Sequence, residues 1–157
     1  AECYRQKHNM LDCKIPPILV LIIAAGIVVG IPYIFPFYGI RSIGLCISFI
    51  VLGVIVAFSG VWEFRKSKTT LNPTTPKKSS RIVDTGIYRF SRNPMYLGMA
   101  FMLVGLIWGL GNYLSWLGFL AFMLYITRFQ ILPEEKTLKE IYGEPYNEYL
   151  TKVRRWL

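Results

Sequence analysis

Long apolar stretches without a single charged side chain dominate this sequence. Residues 15–40, 42–62 and 93–127 contain no Asp, Glu, Lys or Arg. A bilayer span needs about 20 consecutive apolar residues, so each of the first two stretches predicts one transmembrane helix. The third is too long for one helix and contains the turn-forming sequence GLGNYLS (109–115). It therefore predicts two helices, 94–110 and 113–131, joined as a hairpin.

This pattern predicts an all-α, polytopic integral membrane protein with four transmembrane helices in a single domain. The first apolar stretch is too long and too Pro-flanked for a cleavable signal, and no small-residue cleavage site follows it. Met10 is an alternative natural start, which would make residues 1–9 non-native. The expected organisation is an N-terminal segment (1–14), two spans (15–63), a polar loop (64–93), two further spans (94–131) and short C-terminal helices (132–157).

Basic residues alternate across the predicted spans. Of the 18 Lys and Arg residues, three precede the first span, one lies between the first two, eight occupy the polar loop, none lies in the 109–115 turn, and six lie at or beyond the end of the last span. Cytosolic loops of membrane proteins carry the excess of basic residues. Both termini and the polar loop are therefore expected in the cytosol, which in a prokaryote means an inner-membrane protein.

The net charge and the reactive side chains limit the classes of function that the sequence allows. The net charge of +9 is explained by this topological bias and by attraction to anionic headgroups, so no nucleic-acid partner is expected. Cys3, Cys13 and Cys46 have neither metal-binding nor disulfide spacing and are expected as free thiols. With His8 as the one histidine, the sequence offers no His-based metal site and no His-dependent catalytic triad.

The polar segments on the cytosolic side differ in character. The proline- and hydroxyl-rich stretch 69–80 predicts a loop, for which a flexible linker is the simplest interpretation. In the C-terminal segment, Pro133 predicts a helix start, and Gly143 a stop before a second helix. Apolar residues at helical spacing make both helices amphipathic and suited to the membrane surface. Glu134 and Glu135 lie where the fourth span leaves the bilayer. Acidic residues at such a position are candidates for a functional role.

The sequence RFSRNPMYLG (89–98) marks the start of the third span. Asn is a preferred N-cap and Pro a preferred first helical residue, so the helix is expected to begin at Pro94 with Asn93 as its cap. The first backbone N–H groups would then point outward beside Arg89 and Arg92, which favours binding of a carboxylate or phosphate. A simple helix cap with no ligand is the alternative interpretation.

Several ligand-binding groups are expected on the same membrane face. They are the start of the third span, the hydroxyls of Tyr88 and Tyr96, and the Glu134–Glu135 pair. Such a set would suit a small ligand that carries a carboxylate, an ammonium group and an aromatic ring. S-adenosylmethionine has all three.

Two motifs make the chain similar to a known family. GIYRFSRNPMYLG (86–98) and PEEKTLKEIYGEPYNEYLTKVRRWL (133–157) resemble the isoprenylcysteine carboxyl methyltransferase family and related phospholipid methyltransferases. The resemblance covers residues 60–157 and implies a helical membrane enzyme with a cytosolic S-adenosylmethionine site, formed by 81–157, and a lipophilic substrate that enters from the bilayer. The cofactor contacts it implies are Ile82, Val83, Tyr88, Asn93, Pro94, Met95, Tyr96 and Glu134.

Two positions depart from the family pattern. Asn93 stands where the prenylcysteine enzymes usually have His, and Asn retains the ability to cap and to hydrogen-bond. Gln130 stands where those enzymes have an Arg for the acceptor carboxylate, and Arg128 lies two residues earlier. The acceptor is therefore open. Glu135, Arg128 and Gln130 are candidates for catalysis, although Glu134 or Glu135 would be needed as a base only for an amine acceptor.

Three functional hypotheses follow. The first is a methyltransferase of the isoprenylcysteine type, in which positioning of an already activated methyl donor supplies most of the catalysis. The second is a phospholipid amine N-methyltransferase. The third is a membrane scaffold that keeps the fold without the reaction.

Overall fold

The computed structural model describes residues 15–67 and 82–157, and throughout these ranges the chain forms helices and turns without a β-strand. The all-α fold class is thereby confirmed. The predicted N-terminal segment and the predicted loop at 69–80 lie outside the described residues, as do Cys3, Cys13 and His8.

The helices follow the predicted apolar stretches closely. In chain order they are α1 (Pro17–Ile34), α2 (Ile43–Lys66), a 3₁₀ turn (Gly86–Arg89), α3 (Pro94–Leu110), α4 (Ser115–Ile126), a π-helical turn (Thr127–Ile131), α5 (Leu132–Tyr142) and α6 (Glu144–Lys152). Within the described ranges, three helices are long and apolar enough to cross a membrane: α1, α2 and the continuous helix Ser115–Tyr142. Helix α3 is apolar but shorter, with 17 residues.

The expected helix start at Pro133 is wrong, because no break separates the fourth apolar stretch from the C-terminal segment. Instead, the π-helical turn joins α4 to α5, and the Leu132 N–H donates to the carbonyl of Thr127, five residues back. A proline in a regular α-helix loses one hydrogen bond and clashes with the carbonyl four residues earlier. The wider π-helical turn lies directly before Pro133, where it departs from the regular geometry in which the proline ring would clash. The predicted stop at Gly143 is confirmed, since α5 ends there with φ of 60°.

Helices α2 and α3 approach each other through glycines. A Cβ atom placed on Gly98 would lie 2.5 Å from the carbonyl oxygen of Gly53, and one on Gly53 would lie 2.6 Å from that of Gly98. One seven-residue repeat along α3, a Cβ atom on Gly105 would lie 2.8 Å from the Cys46 carbonyl oxygen. Small residues at such contacts let apolar helices pack backbone to backbone, which gains dispersion energy where no hydrophobic effect operates.

The remaining helices pack around an apolar core. Ser115 at the start of α4 donates from its hydroxyl to the Val28 carbonyl of α1, at 2.9 Å. Asn112, in the turn between α3 and α4, donates from its side chain to the Phe35 carbonyl at 2.8 Å and accepts from the Leu114 N–H. The buried core residues are Val20, Ala24, Val28, Tyr96, Ala100, Leu103, Ile107, Phe122, Ile126 and Ile131. The outer faces of α1 and α2 are apolar and exposed, as lipid contact requires.

We expect Gly98→Ala to lower the stability of the protein by about 1–3 kcal/mol, because the new methyl group would force the α2 and α3 backbones apart. Thermal unfolding in detergent, followed by circular dichroism, measures the change. The matched control is Gly26→Ala in α1, where no atom lies within 4 Å of the added Cβ atom. An equal loss of stability in both variants would contradict close packing at Gly98.

Candidate functional site

The start of α3 is tied to the C-terminal tail (153–157). The helix begins at Pro94, as predicted, but Asn93 makes no side-chain cap. That part of the prediction is wrong. The Asn93 side chain instead donates to the Arg155 carbonyl at 3.0 Å, and the Arg92 N–H donates to the Arg154 carbonyl at 3.1 Å. The tail therefore lies against the helix start. The amide of Asn93 forms a tertiary hydrogen bond and does not cap the helix.

A buried ion network reinforces this contact. Arg155 donates to both oxygens of Glu135, from Nε at 3.1 Å and from Nη2 at 2.8 Å. Arg92 Nη1 lies 3.3 Å from Oε1 of the same carboxylate. Paired, charge-assisted bonds of this geometry are among the strongest that side chains form. Glu135 thus anchors both the tail and the start of α3.

The predicted pair of arginines beside α3 is split by this network. Arg92 faces inward and is engaged with Glu135, whereas Arg89 is exposed on the 3₁₀ turn. One donor of Arg92 is nevertheless left over: its Nε atom is buried and has no hydrogen-bond partner within residues 15–67 and 82–157. A buried, unpaired donor on a cation is costly, and it marks a place where an anion would be stabilised.

Glu134 has a different environment from its neighbour. Its carboxylate accepts a hydrogen bond from the Tyr96 hydroxyl at 2.8 Å, which joins α5 to the first turn of α3. The predicted proximity of Tyr96 and Glu134 is therefore present. In the described part of the chain, no arginine or lysine forms an ion pair with Glu134. Its carboxylate retains acceptor capacity that a ligand could use.

Tyr88 stands beside this pair. Burial, followed by the charges of Glu134 and Glu63, raises the pKa of Tyr88 to about 12. The phenol therefore stays protonated at neutral pH and can act only as a neutral hydrogen-bonding group and an aromatic wall. Its backbone carbonyl accepts from the Tyr149 hydroxyl at 2.7 Å, which fixes the 3₁₀ turn to α6.

Helix α6 and the residue after it form an apolar, mainly aromatic cluster next to the 3₁₀ turn. Tyr146, Tyr149 and Val153 are buried together, and Ile82, Leu138, Tyr142 and Leu150 pack around them. Burial and the nearby Glu135 charge are the main causes that raise the pKa of Tyr146 to about 12. Of the two apolar residues implied as cofactor contacts, Ile82 thus packs on this cluster, and Val83 is half-buried next to it in sequence.

Two catalytic candidates, Gln130 and Arg128, contact other groups. The buried Gln130 donates from Nε2 to the Ile15 carbonyl at 2.7 Å and so fastens the π-helical turn to the segment before α1. Arg128 is exposed, with its guanidinium 5.6 Å from the Phe129 ring centre. Neither forms a hydrogen bond or an ion pair with Tyr88, Tyr96 or Glu134 within residues 15–67 and 82–157.

Sequence reasoning missed two important residues. In the sequence, Arg155 is only one of the basic residues that set topology, whereas in the structure it supplies the main partner of Glu135. Glu63 lies among the basic residues that end α2, and it accepts a hydrogen bond from the Thr85 hydroxyl at 2.5 Å. An acid within an otherwise basic stretch was the available signal for Glu63.

Comparison with known proteins identifies a family and several relatives. The sequence pattern of the phospholipid methyltransferase family matches residues 41–145, which include α2 to α5 and both glutamates. An uncharacterized protein of Haemophilus influenzae is 46% identical over 63 residues, which are 40% of this chain and the whole of that protein. No solved structure matches the chain with comparable significance.

Two eukaryotic relatives extend the match. Protein-S-isoprenylcysteine O-methyltransferase of Schizosaccharomyces pombe is 28% identical over 123 residues, which cover 78% of this chain and 50% of that protein. Protein-S-isoprenylcysteine O-methyltransferase B of Arabidopsis thaliana is 29% identical over 120 residues, covering 73% of this chain and 57% of that protein. The chain thus spans about half the length of these relatives. With two thirds of its own length matched, it belongs to the phospholipid methyltransferase family of membrane-helix proteins.

Proposed function

We propose that the protein is an S-adenosylmethionine-dependent methyltransferase that acts on a lipophilic substrate entering from the membrane. The observation that carries this proposal is the convergence of the Tyr96–Glu134 pair, Tyr88 and the start of α3 at one end of an apolar helix bundle. Membership of a methyltransferase family gives the reaction class. The names of the eukaryotic relatives support a lipid-modified acceptor.

The chemistry of these groups fits the cofactor. The first backbone bond of α3 runs from Leu97 N–H to the Asn93 carbonyl, so the N–H groups of Met95 and Tyr96 precede it and have no intrahelical partner. With the unpaired Nε of Arg92, they form a donor set for the carboxylate of the cofactor. The Glu134 carboxylate, which forms no ion pair in the described ranges, suits the ammonium or ribose hydroxyl groups.

The reaction places few demands on the protein beyond positioning. When bound, S-adenosylmethionine supplies a methyl group that is already activated for displacement. Tyr88 and Tyr96 would fix the donor between them, and the α6 cluster would exclude water from it. Holding donor and acceptor in line converts a bimolecular reaction into an effectively intramolecular one, which accounts for a large share of the rate. No basic side chain is required for a thiolate or carboxylate acceptor.

We further propose that α3 completes a set of four spans, with α3 and α4 forming a hairpin and both termini in the cytosol. The alternation of Lys and Arg residues supports this orientation. The polar cluster at the start of α3 then faces the cytosol, where S-adenosylmethionine is made. In a bacterium the protein would reside in the inner membrane.

We expect Glu134→Gln to weaken S-adenosylmethionine binding by about 1.5–3 kcal/mol, or roughly 10- to 150-fold in Kd, because a charge-assisted hydrogen bond becomes a neutral one. The fold should persist, since the amide oxygen can still accept from Tyr96. Isothermal titration calorimetry in detergent measures the change. Glu140→Gln, an exposed position on the same helix, is the control. Unchanged affinity in the Glu134 variant would remove Glu134 from the site, and absence of binding in the parent protein would support the scaffold hypothesis.

Glu135→Gln should instead act on stability. Removing one partner of a buried ion pair leaves the other charge uncompensated, which costs about 3 kcal/mol. We therefore expect a clear fall in Tm in detergent. Glu148→Gln removes the exposed Lys152–Glu148 pair and is the matched control, for which no measurable change is expected. Equal Tm values for the Glu135 variant and the parent would show that the network does not hold the tail.

The four-span topology predicts opposite accessibility for two exposed positions. In a variant with Cys3, Cys13 and Cys46 replaced, Tyr113→Cys should react with a membrane-impermeant maleimide on intact cells. Asp84→Cys should react only after permeabilisation. Labelling of both variants from the same side would rule out this topology.

A further inference from the structure

The C-terminal end of α2 contacts both halves of the candidate cofactor site. Gly60 packs against the start of α3, where an added Cβ atom would lie 3.0 Å from Pro94 Cγ and 3.1 Å from Met95 Cγ. Three residues later, Glu63 accepts a hydrogen bond from the Thr85 hydroxyl at 2.5 Å. Residues three apart are neighbours on one face of a helix. One face of α2 therefore contacts both the start of α3 and the residue that precedes the 3₁₀ turn.

Thr85 occupies the position from which a threonine ordinarily caps a helix. A capping hydroxyl accepts a hydrogen bond from a backbone N–H two or three residues later. The Thr85 side chain forms no such cap to the 3₁₀ turn. Its hydroxyl donates instead to Glu63, 22 residues earlier in the chain. The hydroxyl thus joins the start of the turn to α2.

Gly86 lets the Glu63 carboxylate come close to the turn. A Cβ atom at position 86 would lie 2.9 Å from both Cδ and Oε2 of Glu63. Gly86 also has φ of 58°, a conformation that residues with a side chain rarely adopt. The carboxylate therefore contacts the first residue of the turn in addition to its hydrogen bond with Thr85.

The placement of the 3₁₀ turn decides where the Tyr88 ring lies. Tyr88 is buried, and its N–H donates to the Thr85 carbonyl at 3.1 Å, so a shift of Thr85 would move Tyr88 with it. The other side of the turn is held separately, because the Tyr88 carbonyl accepts from the Tyr149 hydroxyl of α6. Helices α2 and α6 thus fix the turn from two directions.

We propose that Glu63 is a positioning residue for the cofactor site, which acts through Thr85 to set the distance between the Tyr88 ring and the start of α3. Because Gly60 holds the start of α3 on the same face, α2 is the common support of the two groups proposed to enclose the methyl donor. Glu63 acts without touching the reacting atoms.

The precision that methyl transfer requires gives this support its importance. A displacement of about 1 Å at a site that works by positioning can cost about 100-fold in rate. The identity of the ligand rests on the proposed methyltransferase function, whereas the contact between Glu63 and Thr85 does not.

The test is S-adenosylmethionine titration of the whole protein in detergent by calorimetry, with Tm measured for every variant. Glu63→Leu and Thr85→Val each remove the hydrogen bond and should each raise Kd about fivefold, since one bond can bias the turn by no more than its own free energy. Tm should stay close to that of the parent, because the bond is exposed. Glu63→Gln and Thr85→Ser keep an acceptor and a donor, so both should retain parental Kd. Glu140→Leu, the same change at an exposed position of α5, is the control.

Two further measurements keep the outcomes separate. In the double variant Glu63→Leu/Thr85→Val, Kd should equal that of either single variant, because both residues act through one bond. Hydrogen–deuterium exchange of the cofactor-free protein reports on the turn without any ligand. The Tyr88, Phe90 and Ser91 amides, which are hydrogen-bonded within this segment, should exchange faster in Glu63→Leu than in the parent and in Glu63→Gln.

Several results would overturn the positioning role of Glu63. They are parental Kd in both Glu63→Leu and Thr85→Val, losses that multiply in the double variant, or a loss in Glu63→Gln as large as that in Glu63→Leu. If Glu63→Leu does not fold, Thr85→Val and its rescue by Thr85→Ser carry the same test. Failure of the parent protein to bind S-adenosylmethionine would overturn the proposed function, and the exchange rates would still decide whether Glu63 holds the turn.

Discussion

The Glu135 carboxylate holds together the parts of the site that come from distant regions of the sequence. It lies on α5 and pairs with Arg155 in the tail and with Arg92 before α3. Two hydrogen bonds to backbone carbonyls of the tail, from the Asn93 side chain and from the Arg92 N–H, require the same close contact between the tail and the start of α3. Burying an ion pair gains little net energy compared with apolar packing, but breaking it is costly. Such a network therefore acts mainly by permitting a single arrangement of the three segments.

Two adjacent glutamates thereby acquire different chemistry from their surroundings alone. Glu135 is neutralised by two guanidiniums, whereas Glu134 meets only the Tyr96 hydroxyl among the described residues. Successive residues on a helix point about 100° apart, so Glu135 faces Arg155 and Arg92 whereas Glu134 faces Tyr96. The first carboxylate serves architecture, and the second retains acceptor capacity for a ligand.

The positions of the helices could be predicted from the sequence because uncharged apolar stretches leave few alternatives. The starts of α3 at Pro94 and of α6 after Gly143 followed from local rules for proline and glycine, which act within one turn of chain. The ion network did not follow, because Arg155 lies 20 residues from its partner and nothing local distinguishes it from the other basic residues of the segment. The same holds for Gln130, whose partner Ile15 lies 115 residues away. The capping prediction for Asn93 is wrong because its side chain forms a hydrogen bond to the distant Arg155 carbonyl instead of to the start of its own helix.

The π-helical turn before Pro133 carries a consequence for how this protein can diverge. A π-helical turn is equivalent to one extra residue in an α-helix. Loss of a single residue between 127 and 131 would therefore restore regular α-helical geometry and leave the downstream helix nearly in its present orientation, with Glu134 still directed toward Tyr96. The cost of that deletion would fall on Pro133, which would then lie in regular α-helix. A one-residue deletion within α4 or after Leu132 would instead rotate the following residues by about 100°, because no such turn takes up the change there. The π-helical turn is thus the one place in this long helix where the chain can shorten by a residue and keep the direction of both glutamates.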